Sequence, residues 1–241
     1  MTVWLRKTDS TMKDAATLAA RGEPHGTVIV AETQTAGIGR HGHSWYSESD
    51  GGLYLSIILR LPLTPEALPV LTMALGLAAQ RAVDDLAGVA CDLRWPNDLL
   101  LNERKLAGMM VQTADAPGTK GVLIAGVGVN VNQTEFPPEI RAIATSLRIE
   151  TGREHSKEVL LDRIVAESLR YADLLASRGK DPILRQFEAR SSYVQGKPVE
   201  VEAMDRIITG VTAGLDDNGF LHVRTPTGME TIVAGGVRAR V

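Results

Sequence analysis

Hydrophobic positions recur at two different spacings along the chain, and the change between them divides it in two. Up to residue 193, apolar residues at helical spacing alternate with short β-branched runs, which is typical of an α+β domain. From residue 194 onward, short β-rich runs are separated by turn sequences such as Asp217-Asn218-Gly219 and Thr227-Gly228, which predict a small all-β barrel. We therefore expect two domains, 1–193 and 194–241.

The first domain is predicted to contain four helices and six strands. Helices are expected at 9–22, 70–86, 157–175 and 182–190, and capping residues, glycines or prolines mark several of their ends. Strands are expected at 27–32, 53–61, 92–95, 99–101, 105–112 and 121–132. The fourth and fifth of these strands form a hairpin around 102–104, and the glycine-rich stretch 36–45 is predicted to be a loop.

Composition excludes several classes of protein. The hydrophobic content of 44% and charged content of 23% are ordinary for a soluble globular protein, and no apolar run is long enough to cross a bilayer. The single cysteine, Cys91, suits a reducing compartment, and the N-terminus does not resemble a signal peptide. The formal net charge of −3 and the pI of about 6.0 argue against a broad nucleic-acid surface. These features predict a cytoplasmic protein that binds neither a membrane nor DNA.

The predicted glycine-rich loop is the first candidate binding element. Gly37, Gly39 and Gly42 allow backbone amides to approach a ligand closely, and Arg40 and His41 add positive charge between them. This combination suits a phosphate or carboxylate group. It is neither a P-loop, because no Gly-Lys-Ser/Thr follows, nor a dinucleotide fingerprint, because no helix begins after it. Taken alone, the pattern fits a solvated glycine loop equally well.

A Pro-Asn-Asp turn after the third strand is the second candidate. It lies within 94–98 (RWPND) and exposes an amide, Asn97, beside a carboxylate, Asp98, which could hold Mg²⁺ together with nucleotide phosphates. Lys105 and Gly108 follow on the hairpin strand, where a lysine could neutralise phosphoryl charge. A simple capped turn and a solvated lysine explain the same residues.

The apolar strand 121–132 carries glycines that a buried strand does not ordinarily favour. Gly126 and Gly128 indicate close approach of another backbone or of a ligand. Asn130 in the same strand is a polar side chain that needs partners when buried. A nucleobase edge or a neighbouring loop backbone would satisfy this amide equally well.

Together, these segments resemble the motifs of biotin protein ligases in order and spacing, over essentially the whole chain. The matching segments are Thr8–Thr11, Gln34–Gly37, Gly39–Gly42 with Trp45, Trp95–Asp98, Lys105–Gly108 and Gly128–Asn130. The resemblance implies an α+β fold, with a mixed sheet and flanking helices as in class II synthetases, plus a small SH3-like C-terminal barrel. It also implies the monofunctional type that lacks an N-terminal DNA-binding domain, because the Ser10-Thr11 motif begins almost at Met1.

The resemblance assigns roles to particular residues. Those implied to bind biotin are Ser10, Thr11, Gln34, Gly37, Arg40 and Gly108. Those implied to bind ATP are Trp45, Asn97, Asp98, Lys105, Asn130 and Arg240. Lys105 and Arg40 would be the catalytic residues, and Asp98 would face Mg²⁺.

The activity implied by the resemblance has two steps. Biotin and MgATP would give biotinyl-5′-adenylate, and the biotinyl group would then pass to a lysine of the biotin carboxyl carrier protein of acetyl-CoA carboxylase. The resemblance allows either a monomer or a homodimer. A lipoate ligase is the alternative within enzymes, although Ser10-Thr11 with Gln34 favours the ureido ring of biotin. A biotin-sensing DNA-binding repressor is disfavoured by the pI and the missing domain.

Three positions depart from the family pattern. Ile38 and His43 stand in the loop where arginines are common, and Gly236 stands where a glutamate is usual. The loop therefore carries less charge than in other members of the family. A biotin-binding sensor with weak catalysis is a further alternative for that reason, although Arg40, Trp45 and Lys105 are all present.

Overall fold

A computed structural model describes residues 1–47, 51–114, 119–203 and 206–240. Its helices are α1 (Thr11–Ala20), α2 (Leu68–Ala87), α3 (Leu147–Thr151), α4 (Lys157–Arg178) and α5 (Asp181–Ala189). The strands before α3 are β1 (Thr2–Thr8), β2 (Val28–Gln34), β3 (Gly52–Arg60), β4 (Asp92–Arg94), β5 (Asp98–Leu101), β6 (Arg104–Thr113) and β7 (Val122–Asn130). The strands after α5 are β8 (Gln195–Ala203), β9 (Arg206–Leu215), β10 (Leu221–Thr225), β11 (Gly228–Ile232) and β12 (Gly236–Ala239).

A seven-stranded mixed sheet forms the larger part of the molecule, as predicted. Its order is β1-β2-β3-β7-β6-β5-β4, with β1 parallel to β2 and the other pairs antiparallel. Both faces of the central strands are buried. Leu55 and Ile57 of β3 belong to the core shared with α2, α4 and α5, whereas Ile58 packs with α1 on the opposite face. This burial on both faces explains why β3 and β7 are apolar without alternation.

The four predicted helices are confirmed, with ends that differ by a few residues from the sequence pattern. Helix α4 begins after Ser156, whose hydroxyl accepts a hydrogen bond from the Val159 amide, and α2 ends at Gly88 in the left-handed conformation. Two elements were not predicted, β1 and α3. Strand β1 carries many polar side chains at the edge of the sheet, and its pairing with β2 defines it. Helix α3 is short, although Ser146 and Gly152 cap it in the ordinary way.

A β-bulge distinguishes the predicted hairpin of β5 and β6. Leu99 pairs with Ala107, but Leu100 pairs with Lys105, so Leu106 is an extra residue on β6. In a regular strand, residues 105 and 108 would point to opposite faces because the side-chain period is two. The bulge changes this alternation and places the Lys105 side chain on the same face as Gly108.

The C-terminal strands form a second, antiparallel sheet in the order β11-β10-β9-β8-β12. This confirms the small all-β domain, although the pairings among the described residues do not include closure of the sheet into a barrel. The turn between β9 and β10 packs on the first domain. There the Gly219 carbonyl accepts a hydrogen bond of 2.9 Å from the indole of Trp95, which is fully buried just before the Pro-Asn-Asp turn.

Within the part of the chain that the structure describes, no helix is both long and apolar enough to cross a membrane.

Replacing Trp95 with phenylalanine should test the contact between the domains. Trp95→Phe removes the indole donor and leaves the buried Gly219 carbonyl without this partner, which costs about 1–3 kcal/mol. We expect that decrease in the free energy of unfolding, measured by urea denaturation. Trp4→Phe is the matched control, because the Trp4 side chain is 51% exposed and its loss should change stability by less than about 0.5 kcal/mol. Equal stability of the two variants would contradict a stabilising hydrogen bond between Trp95 and Gly219.

Candidate active site

A large cavity lies between the first sheet and the second, and it encloses about 1050 Å³. That volume is at the upper end for small-molecule sites and accommodates two ligands side by side. The first domain contributes residues from the glycine-rich loop, the Pro-Asn-Asp turn and strands β6 and β7. The second domain contributes Glu202 and the segment 234–239. Both domains are therefore required to complete the cavity.

The glycine-rich loop folds back on itself through backbone hydrogen bonds. The Gly37 carbonyl accepts from the Trp45 amide at 2.9 Å, and the Gly39 amide donates to the His43 carbonyl at 2.7 Å. A single 3₁₀ turn, Arg40–Gly42, lies between these bonds. The side chain of His41, which was expected to add charge here, lies outside the described residues. The loop is thus ordered by main-chain contacts as well as by its cation.

Arg40 connects this loop to the Pro-Asn-Asp turn. Its guanidinium donates a 2.9 Å hydrogen bond to the Asn97 side-chain oxygen, while the Asn97 amide nitrogen donates to the Met109 carbonyl on β6. Burial lowers the pKa of Arg40 and the nearby Asp98 carboxylate opposes that change. The result is a partly buried cation whose direction is set by Asn97 and which lines the cavity.

Trp45 lies against the sheet at two glycines, which have no side chains to block the indole ring. Gly108 and Gly128 are paired across β6 and β7, and a Cβ atom at either position would come within 2.8 or 2.7 Å of the indole. The Lys105 ammonium lies 5.2 Å from the centroid of the Trp45 ring. Of the two strand glycines predicted to allow close approach, Gly128 meets the indole and Gly126 meets Met12, and Gly108 completes the flat surface beneath the ring.

Asp98 binds two basic side chains and is one of four acidic residues in the described part of the cavity lining, with Glu103, Glu139 and Glu202. One carboxylate oxygen lies 2.7 Å from the Lys105 ammonium and the other lies 2.6 Å from the Arg94 guanidinium. Burial raises the pKa of Asp98, but Lys105 and Arg94 outweigh burial and hold the pKa below its usual value. Asp98 is therefore an ionised carboxylate that positions the lysine, and basic side chains outnumber it in the cluster that it forms with Arg94 and Lys105.

A cluster of uncharged polar groups occupies the other end. The Gln34 side-chain oxygen accepts from both the amide and the hydroxyl of Thr11, at 2.9 and 3.2 Å, and Ser56 donates to the Thr11 hydroxyl at 2.8 Å. The Gln34 amide nitrogen donates to Ser47 at 3.0 Å. The hydroxyl of Ser10, next to Thr11, is buried and has no hydrogen-bond partner among the described residues.

Most of the residues predicted from sequence meet in this cavity. Those that line it are Thr11, Gln34, Arg40, Trp45, Asn97, Asp98, Lys105 and Gly108. Ser10 and Gly37 lie behind the lining and are buried. Asn130 is also outside the lining, and its amide donates to the carbonyls of Thr145 at 2.9 Å and Lys105 at 3.4 Å. Of the two partners considered for Asn130, the structure provides the neighbouring backbone.

Sequence reasoning missed several residues of the cavity. Arg240 is exposed outside the lining, just after the end of β12, whereas Arg238 on β12 lines the cavity together with Glu202. Ser56 was missed as well, although a lone serine within the apolar run of β3 is a usable signal for a buried polar contact. Tyr193, at the end of the first domain, and Glu202, on β8 of the second, carry no local signal, because tertiary contacts bring both to the cavity.

This chain belongs to the biotin/lipoate A/B protein ligase family, whose pattern matches residues 4–130. Residues 195–237 match the biotin protein ligase C-terminal domain. The prediction of a biotin protein ligase with an α+β catalytic domain and a small β domain is therefore confirmed at the level of family and fold.

Three relatives indicate how far the similarity extends. A biotin–[acetyl-CoA-carboxylase] ligase of Paracoccus denitrificans is 31% identical, over 97% of this chain and 98% of its own. The bifunctional ligase/repressor BirA of Bacillus subtilis strain 168 is 32% identical, over 95% of this chain and 70% of its own. The structure of a biotin protein ligase from Aquifex aeolicus in complex with biotin and ATP superimposes with a TM-score of 0.85 at 30% identity, covering 99% and 98% of the two chains.

A methyl group at Gly128 should displace the Trp45 indole. We expect Gly128→Ala to move the ring off the sheet and shift its fluorescence emission to longer wavelength, at a cost in stability of at most about 1–3 kcal/mol. The spectra are recorded in a Trp4→Phe background to remove the exposed indole. Gly236→Ala is the control, since its Cβ would meet no atom within 4 Å. An unchanged emission spectrum in Gly128→Ala would refute the packing described.

Proposed function

We propose that the protein is a biotin protein ligase that forms biotinyl-5′-adenylate from biotin and ATP and transfers the biotinyl group to a protein lysine. The observation that carries this proposal is the division of one cavity into an uncharged hydrogen-bonding end and a cationic end. The first suits a neutral ring with donors and acceptors, and the second suits a carboxylate and a phosphate. Family membership and the biotin and ATP complex of the Aquifex aeolicus relative support this assignment.

The uncharged end suits the ureido ring of biotin. A cyclic urea offers two N–H donors and one carbonyl acceptor, so its partners must supply both kinds of group. Ser10 and Thr11 provide hydroxyls that can donate or accept, and the Gln34 amide provides one oxygen and one nitrogen. No charged group lies among these three side chains, which is appropriate for a neutral ring. Lipoate has no such ring, so this end favours biotin over the alternative acid.

The cationic end suits the two reacting anions. Arg40 and Lys105 both line the cavity, and the carboxylate of biotin must approach the α-phosphate of ATP against mutual repulsion. Two positive side chains reduce that repulsion and stabilise the charge that accumulates on phosphorus. The exposed part of the Trp45 indole provides a surface on which an adenine ring can stack.

The chemistry then proceeds in two displacements. A carboxylate oxygen of biotin forms a bond to the α-phosphorus, and the bond from that phosphorus to the bridging oxygen of pyrophosphate breaks. In the second step the amine of a protein lysine forms a bond to the acyl carbon, AMP leaves with the anhydride oxygen, and the amine proton passes to solvent. Lys105 and Arg40 hold the anions in the first step, and the glycine-rich loop shields the mixed anhydride from water.

Magnesium would arrive with ATP as part of the MgATP substrate. Asp98 remains the predicted residue on that side, but both of its oxygens already bind Lys105 and Arg94. Among the described residues, no group of three or more histidine, cysteine or acidic side chains could hold a metal ion. The arrangement therefore favours a role for Asp98 in positioning Lys105. No step of the reaction is assigned to a metal ion bound by Asp98.

The departures from the family pattern are compatible with catalysis. Ile38 and His43 line the cavity without adding the charge of arginine, yet the backbone bonds of the loop and the bond from Arg40 to Asn97 order this segment. Gly236 lies in the cavity wall beside Glu202, its pairing partner on β8. These contacts favour an active ligase over a sensor with weak catalysis.

The proposed acceptor is a lysine of the biotin carboxyl carrier protein of acetyl-CoA carboxylase, and the name of the Paracoccus denitrificans relative supports this choice. The proposed location is the cytoplasm, in keeping with Cys91, which is buried and unbridged. Two expectations from the sequence stay predictions: the protein does not bind DNA, and it is either a monomer or a homodimer.

Removal of Lys105 should abolish most of the activity. The purified protein is incubated with MgATP, labelled biotin and a biotin carboxyl carrier domain, and label on the carrier lysine is measured. We expect transfer by the wild type and a decrease of at least about 100-fold in Lys105→Ala, because a group that stabilises transition-state charge contributes that much. Lys13→Ala is the matched control, since Lys13 is exposed on α1 and away from the cavity.

The same assay distinguishes the alternatives. Biotin that binds without transfer would identify a sensor, with Ile38 and His43 as the first positions to change. Labelled lipoate that is transferred in place of biotin would replace the proposed substrate. Full activity of Lys105→Ala would disprove the assigned role of this lysine.

A further inference from the structure

Glu150 is a half-buried residue whose carboxylate the proposed reaction does not use directly. It lies on α3 with its side chain only 7% exposed, and it is not part of the cavity lining. Its oxygens accept hydrogen bonds from three side chains. Arg104 donates at 2.6 Å, Asn102 donates at 2.5 Å, and the Thr145 hydroxyl donates to the same oxygen as Arg104.

The three donors belong to two segments, and the main chain of Lys105 lies between these segments. Asn102 is in the β5–β6 turn and Arg104 immediately precedes Lys105. On the other side, the Lys105 amide donates to the Ile143 carbonyl at 2.7 Å, and the Thr145 amide donates to the Lys105 carbonyl at 3.0 Å. The main chain of the lysine is therefore held between two segments that the same carboxylate joins.

Lys105 needs this support because of where it lies on β6. It immediately precedes the bulged residue Leu106, at a place where the regular ladder to β5 shifts register. On that side of the bulge it pairs with Leu100, and its backbone amide and carbonyl bind the segment 143–145. A catalytic group misplaced by about 1 Å costs about 100-fold in rate. Movement of either segment would therefore displace the Lys105 ammonium and slow the reaction.

The carboxylate is ionised in this setting. Burial raises the pKa of Glu150, but hydrogen bonds from Thr145 and Asn102 and the charge of Arg104 outweigh burial and hold the pKa below its usual value. An ionised carboxylate accepts on both oxygens at once, as the three donors require. A glutamine of the same shape would turn an N–H group toward at least one of these donors.

We propose that Glu150 is a positioning residue for Lys105 in the adenylate-forming step, an inference that rests on the proposed ligase function. It acts on the lysine through the hairpin turn and the segment 143–145 and does not touch the substrates. The uncharged end of the cavity, which Thr11 and Gln34 line, makes no hydrogen bond with this carboxylate among the described residues.

The test measures biotinyl-AMP formation in a single turnover at saturating biotin and ATP. We expect Glu150→Gln to slow this step about 10- to 100-fold while the Kd for biotin changes less than about twofold, because the positioning of Lys105 is altered and the ureido contacts are not. Thr145→Val is the milder variant, which removes one donor with little change of shape and should reduce the rate by a smaller factor. Glu154→Gln is the control, a 70% exposed carboxylate paired with Arg148 near the same helix, and it should leave the rate unchanged.

A double-mutant cycle separates positioning from a general structural effect. In a Lys105→Ala background, Glu150→Gln should cause no further decrease in the residual rate, since the group it positions is absent. An equal decrease in both backgrounds, or a weaker affinity for biotin that accounts for the slower rate, would overturn the proposal. So would a normal rate in Glu150→Gln. Failure of the wild type and Glu154→Gln to form biotinyl-AMP would instead refute the ligase function itself.

Discussion

The ion pair between Asp98 and Lys105 organises the cavity, and it depends on the bulge at Leu106. Without that extra residue, the alternation of β6 would turn Lys105 away from the face on which Gly108 opens the floor of the site. With it, the ammonium reaches Asp98 at 2.7 Å and lies beside the Trp45 indole. A local irregularity of one strand thus brings a cation, an aromatic ring and a glycine surface to one place.

One end of the cavity is suited to recognising the neutral part of the acid, and the other end is suited to stabilising negative charge. Hydrogen bonds among Thr11, Gln34 and Ser56 set the directions of neutral donors and acceptors without a nearby charge. The other end gathers cations around one carboxylate, which leaves net positive charge for two anions that must meet. Such a division suits the activation of a small acid by a nucleotide, because the acid's neutral part fixes its position while its carboxylate is free to react.

The second domain contributes residues to the site in addition to packing on the first domain. Its β9–β10 turn accepts the Trp95 hydrogen bond directly before the Pro-Asn-Asp turn, and its strands β8 and β12 close one wall of the cavity. The domain interface therefore bears on the position of Asn97 and, through Asn97, on Arg40 of the glycine-rich loop. This chain of contacts explains how a loop with Ile38 and His43 in place of arginines is still held over the sheet.

Sequence by itself determined the four longer helices, the buried strands β3 and β7, the all-β character of the C-terminal region and the family, because periodicity and motif spacing are local properties of the chain. Most of the site residues that it predicted do line the cavity. Tertiary structure alone decided that β1 is a strand, that Asn130 binds backbone near Lys105, and that Arg238 faces the cavity while Arg240 does not. These features depend on strand register, on one bulge and on the packing of two domains, which join residues far apart in the chain and leave no periodic signal in it.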